Sequence, residues 1–156
     1  MTERTISLPG FHPLRFFSKL RQSEERIVFF TSGPWTIVVW NPTKMIRGDD
    51  AAVFAELKKL PVVKSALPFA GGAIGYCPYD VGLKMQGVAS RHHAALPEAV
   101  FHVYDHAVLW DGKDVTVVGS EDFVRDVERI HLRPFSGSPL PAIEWKSALA
   151  KTEYRK

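Results

Sequence analysis

The chain has 156 residues, of which 46% are hydrophobic, 24% charged and 12% aromatic. That is the profile of one globular domain, able to bury roughly 70% of its unfolded surface. No run approaches the ~18 apolar residues of a membrane span, and the first six residues lack the basic flank and apolar core of a signal peptide. A single cysteine, Cys77, cannot close an internal disulfide, which fits a reducing cytoplasm, and a net charge of +3 is only mildly basic.

The first periodic segment runs from Pro13 to Arg21. Proline suits a first helical turn, and the spacing of Leu14, Phe17 and Leu20 predicts a helix with those residues on its inner face. Ile27 to Phe30 and Trp35 to Trp40 are β-branched and aromatic runs around Gly33-Pro34, a predicted hairpin closed by Asn41-Pro42. Asp49 or Asp50 can cap a helix through Leu60, with Val53, Leu57 and Leu60 inward and Pro61 as its stop.

Between Pro61 and Pro97 the residues Gly71, Gly72, Gly75, Pro78, Gly82 and Gly87 predict turns and close backbone approach rather than regular elements. Val100 to Trp110 reads as one long strand, turned by Asp111 to Asp114 into a second strand, Val115 to Gly119. Ser120 caps a predicted helix from Glu121 to His131, with Phe123, Val127 and Ile130 on one face. Residues 1–132 are thus the expected domain, and the proline- and serine-rich stretch 133–144 a linker. Residues 145–156 are a helix-competent stretch expected to open something further. The mixed order of helices and hairpins predicts an α+β fold with antiparallel sheet and flanking helices.

Few constellations carry chemistry. Gly71-Gly72-Ala73-Ile74-Gly75 fails as a dinucleotide fingerprint: Ala73 and Tyr76 stand where glycines are needed, and Pro78 is read as blocking a helix. The glycines are read instead as letting a strand pass close to another element. Of the six histidines (12, 92, 93, 102, 106 and 131), His102 and His106 have zinc-helix spacing. On a strand, however, four residues span roughly 13 Å, too far to meet one cation. His92-His93 reads as a solvated loop pair. Cys77 reads as a packed thiol rather than a nucleophile, and Asp105, Asp111 and Asp114 as turn or strand-edge acids. Basic residues (Arg15, Lys19, Arg21, Lys58, Lys59, Lys64, Lys146, Lys151, Arg155, Lys156) are scattered, and the aromatics lie in apolar runs, which argues against a nucleic-acid partner.

One stretch bears a family likeness. Phe69 to Gly82 (Phe-Ala-Gly-Gly-Ala-Ile-Gly-Tyr-Cys-Pro-Tyr-Asp-Val-Gly) resembles the Gly-Gly-x-x-Gly-Tyr-x-x-Tyr-Asp motif of the chorismate-utilising enzymes, the component I subunits of anthranilate synthase and aminodeoxychorismate (para-aminobenzoate) synthase. Leu96 to Asp111 resembles the family's next segment, a Leu-Pro followed by a long strand ending in aspartate. Phe29-Phe-Thr-Ser32 falls where the family has Leu-Leu-x-Ser, and Trp145 to Tyr154 is similar to the opening of its catalytic domain. Tyr79-Asp80-Val81-Gly82 and Val103-Tyr104-Asp105 look more like aminodeoxychorismate synthase than anthranilate synthase. Cys77-Pro78 is unusual within the motif, and Gln86 stands where many relatives have Glu.

The resemblance implies the N-terminal, non-catalytic part of a component I protein of folate precursor synthesis, or alternatively of tryptophan biosynthesis. It implies that chorismate and Mg²⁺ are held by a C-terminal domain absent from this sequence, so the chain alone is expected to be inactive. It implies two partners, that domain and a glutamine amidotransferase subunit supplying ammonia, and no nucleic acid or membrane. It also implies an aromatic-ligand pocket for tryptophan, for which Ser32 matches the family's serine. Thr31 replaces the usual Glu or His and the following loop is reduced to Gly33-Pro34, so an incomplete pocket is expected. Gly71, Gly72, Gly75, Tyr76, Tyr79 and Asp80 are the motif residues that would form a domain interface, with self-association as a consequence if that interface is bare. Both tyrosines could equally belong to the domain's own core. The rival reading is a free-standing module that binds an aromatic amino acid or a partner protein.

Overall fold

The computed structural model describes residues 2–88 and 98–134. Among them the chain forms β1 (Thr2–Ile6), α1 (Pro13–Leu20), β2 (Val28–Ser32), β3 (Trp35–Val39), β4 (Lys44–Gly48) and α2 (Ala52–Lys58). There follow β5 (Gly72–Tyr76), α3 (Tyr79–Met85), β6 (Ala99–Tyr104), β7 (Ala107–Trp110), β8 (Val115–Gly119) and α4 (Glu121–Leu132). The strands make two antiparallel sheets, one ordered β1-β8-β7-β3-β2 and the other β4-β6-β5. The α+β class with antiparallel sheet and helices is as expected.

Both faces of the larger sheet are covered, which explains why its central strands are near-continuous apolar runs. On one face Val38, Trp40, Val108, Val115 and Val117 pack against Phe16 and Leu20 of α1 and Val124, Val127 and Ile130 of α4. On the other face Ile37, Val39, Leu109 and Val118 meet Ala70 and Tyr104, with Leu67, Phe69 and Ile74 at the margin. The smaller sheet turns Ile46, Ala99, Phe101 and Val103 toward Val53 and Leu57 of α2 and Leu60 just beyond its end.

Local chemistry sets the element ends. Ile27 and Trp40 flank the first hairpin, whose register Ser32↔Trp35 leaves Gly33-Pro34 as a two-residue turn. The Asp50 carboxylate accepts from the Ala52 N–H at 2.9 Å at the start of α2. The Ser120 hydroxyl accepts from the Phe123 N–H at 3.2 Å, the N-cap expected for α4. Asp111 Oδ1 accepts from the N–H groups of Lys113 and Asp114 and so closes the β7–β8 turn.

Several expectations are corrected. In α1 the inner face is Pro13, Phe16 and Leu20; Leu14 is 56% exposed and Phe17 stands on the flank, edge-on to Phe29. In α4 the buried set is Val124, Val127 and Ile130, with Phe123 half-buried beside it. The glycine-rich region contains two regular elements, β5 and α3. Pro78 does not block a helix: it precedes Tyr79 in extended conformation as the N-cap of α3, where its missing N–H costs nothing.

The expected long strand Val100 to Trp110 is two strands in different sheets. It breaks at Asp105-His106, where the chain crosses from β6 to β7. Beyond Pro134, the expected linker and the stretch 145–156 lie outside the described residues, as do His92, His93 and Leu96-Pro97. Among the described residues no helix is long and apolar enough to cross a membrane.

Candidate functional site: an exposed strand-helix motif and the crossing beside it

The motif Phe69 to Gly82 supplies the outer strand of the smaller sheet and the helix after it. Ala70 is buried, and Gly71 and Gly72, with φ of 123° and 142°, turn the chain into β5 through backbone that other residues rarely adopt. Gly75 stands opposite Phe101 of β6. A Cβ there would lie 2.0 Å from the Val100 carbonyl oxygen and 2.6 Å from the Phe101 Cα. The close backbone approach read from the glycines is therefore a strand–strand contact.

After β5, Val81 anchors α3 in the core at 2% exposure. Asp80 is half-buried in the first turn of the helix. Lys84 forms an ion pair with Asp49, tying α3 to the loop before α2. That bond raises the Lys84 ammonium above its usual range and lowers the Asp49 carboxyl.

Tyr76 and Tyr79 are 43% and 81% exposed, so neither belongs to the core of this chain. Tyr76 shares a sheet face with Val100 and Arg47, and the next row of that face is Ile74, His102 and Met45. Met45 is 41% exposed, while α2 covers the opposite face. Burial, and after it the positive charge of Arg26, hold the His102 imidazole below its usual value. Cys77 is exposed rather than packed, and its Sγ reaches the Pro78 carbonyl oxygen at 3.6 Å. Pairing on β5 ends at Tyr76, which places Cys77 just past the end of the sheet.

The crossing from β6 to β7 gathers the remaining titratable groups. Tyr104, 1% exposed, donates its hydroxyl to the Arg26 carbonyl at 2.9 Å, and burial pushes its phenol above the usual range. His106 lies between the Asp105 carboxylate at Nδ1, 2.7 Å, and the Trp40 carbonyl at Nε2, 2.6 Å. Its ring lies tilted against Phe123 and edge-on to Trp40. Arg26 and Asn41, opposite each other at the open end of the β2–β3 hairpin, both have positive φ, 51° and 47°. His102 and His106 are thus not two positions of one strand: the first lies in β6 and the second in the crossing.

The candidate ligand residues Thr31 and Ser32 sit at the exposed tip of β2. They are not brought together with the motif. A cleft of about 530 Å³ lies elsewhere, between the loop Ser7 to Phe11 and the β7–β8 turn, with Trp110 and Lys113 on its wall. Of the residues weighed for chemistry from the sequence, only Asp114, read as a turn acid, lines it.

The described contacts of the residues at the crossing are packing contacts and hydrogen bonds within the chain. His106 has both ring nitrogens bonded within the chain, so it is no free general base. Among the described residues no three His, Cys, Asp or Glu side chains converge on a point that could hold a metal ion. No family model, curated protein or solved structure matches the chain.

Sequence reasoning missed the Asp49–Lys84 tie and the Trp40–His106 bond. Both join residues far apart in the chain, and no spacing marks them.

Proposed function

We propose that this chain is the N-terminal, non-catalytic portion of a component I protein that aminates chorismate, of the aminodeoxychorismate synthase type. In this reading it is a scaffold that works in the cytoplasm, and its face of Tyr76, Val100 and Met45, with Tyr79 beside it, seats a C-terminal catalytic domain. A glutamine amidotransferase subunit supplies ammonia to the assembly, and Mg²⁺ bound by the catalytic domain neutralises the substrate carboxylates. The observation that carries the reading is the pairing of the Gly-Gly-x-x-Gly-Tyr-x-x-Tyr-Asp motif with exposure of both its tyrosines. A motif made only for the fold of this chain would spend its aromatic rings inside the core.

The test compares two proteins. One is the 156-residue chain, and the other is the product of the full reading frame that contains it. Each is incubated with chorismate, Mg²⁺ and ammonia, and the products are separated by chromatography. The reading expects aminodeoxychorismate from the full product and none from the chain. Anthranilate instead would move the assignment to the tryptophan branch. Turnover by the chain alone, or a reading frame that stops at Lys156, would overturn it.

A further inference from the structure

We propose that the outer edge of β2 is a self-pairing surface, through which two copies of the chain join their larger sheets antiparallel across a two-fold axis. The sheet ends on this strand. Because Ser32 and Trp35 flank a two-residue turn, they form a hydrogen-bonded pair, and the pattern alternates along the hairpin. Val28, Phe30 and Ser32 therefore bond inward to β3. Phe29 and Thr31 turn their N–H and C=O groups outward, and no hydrogen bond among the described residues takes up these four groups.

The other edges differ. β1 carries Glu3 and Arg4, and β4 carries Lys44 and Arg47, the charges by which natural sheets deter pairing. β5 has glycines at two of its five positions, which weaken a strand as a template. β2, Val-Phe-Phe-Thr-Ser, has neither a charge nor a glycine nor a proline.

One register satisfies everything at once. If Phe30 lies opposite Phe30 of the second copy, Phe29 faces Thr31 of the second copy and Thr31 faces its Phe29. All four outward groups on each chain then bond, and two aromatic rings meet at the closer, non-hydrogen-bonded site. No like charges come opposite each other within the strand. The second copy is chosen over a foreign strand because this register is its own complement, the requirement of a two-fold interface. Edge pairing alone buries less than the ~1,200–2,000 Å² of a stable interface, so the expected dimer is weak and concentration-dependent.

Sedimentation of the purified chain over a concentration series tests this, together with amide exchange resolved by residue. A reversible dimer is expected by about 100 μM, with exchange at the Phe29 and Thr31 amides slowing as concentration rises. Thr31→Pro removes an N–H that the monomer does not use, and Thr31→Lys places a charge on the edge. Each should weaken dimerisation at least about tenfold while leaving the circular dichroism unchanged. Should the proline variant lose its fold, the lysine variant decides. The proposal is overturned by a chain that stays monomeric throughout, by a dimer that the folded variant leaves intact, or by Phe29 and Thr31 amides protected in a monomer, which would mean that another strand occupies the edge. None of these outcomes bears on chorismate chemistry.

Discussion

His106 Nε2 donates to the Trp40 carbonyl oxygen at 2.6 Å, joining the crossing between the two sheets to the residue that follows β3. A carbonyl can only accept, so this nitrogen carries a hydrogen, and Nδ1 faces Asp105. The side chain is 12% exposed, so the bond is shielded from water. His106→Phe keeps a ring against Trp40 and Phe123 but leaves the carbonyl unpaired. It is expected to cost about 1–3 kcal/mol in denaturant unfolding; a loss indistinguishable from zero would show that the ring contacts alone hold the crossing.

The glycines of the motif should divide sharply under substitution. At Gly75 the neighbours of an added methyl are backbone atoms of β6, which cannot swing aside, so Gly75→Ala must part β5 from β6. A loss at or above the upper end of the roughly 1–3 kcal/mol typical of overpacking is expected. Gly82 lies in α3 with nothing within 4 Å of the position a Cβ would take. Gly82→Ala should stabilise by about 0.5–1 kcal/mol through helix propensity and backbone entropy. Thermal unfolding of the two variants side by side would check both signs.

Stability should depend on pH through His102. Its folded-state pKa lies below the ordinary 6.5, first because it is buried and then because Arg26 is near. As pH falls below that value the unfolded chain takes up the proton before the folded chain does, so stability declines with falling pH. The decline stops once the folded-state group is protonated as well. His102→Gln should flatten that part of the curve, measured as the difference between the two proteins in denaturant titrations from neutral to mildly acidic pH. Coincident slopes would contradict it.

The orientation of α1 is open to a paired measurement. Leu20 is fully buried against Phe16 and the sheet, and Leu20→Ala should cost about 2–5 kcal/mol. Leu14→Ala, at a residue more than half exposed, should stay within about 0.5 kcal/mol. Comparable losses at the two sites would restore the inner face that a three-residue spacing suggests.

That helix illustrates how far the sequence could be read. Pro13 marked its start and Leu20 its inner face, as Ser120 marked α4 and Asp111 the β7–β8 turn, because caps and turns depend on side chains acting a few residues away. Leu14 and Phe16 could not be ranked, since both are apolar and only the sheet beneath decides which of them meets it. Nor could the motif's function be weighed from spacing: glycine periodicity predicts close approach but not that Gly75 meets Val100 and Phe101, or that Tyr76 and Tyr79 are left outside.

Local chemistry therefore determined the class of fold, most of its elements and the ends of several. Tertiary structure alone decided that the run Val100 to Trp110 is shared between two sheets. Every residue of that run is compatible with a strand. It divides because His106 finds the Trp40 carbonyl and Tyr104 the Arg26 carbonyl, partners more than sixty positions away.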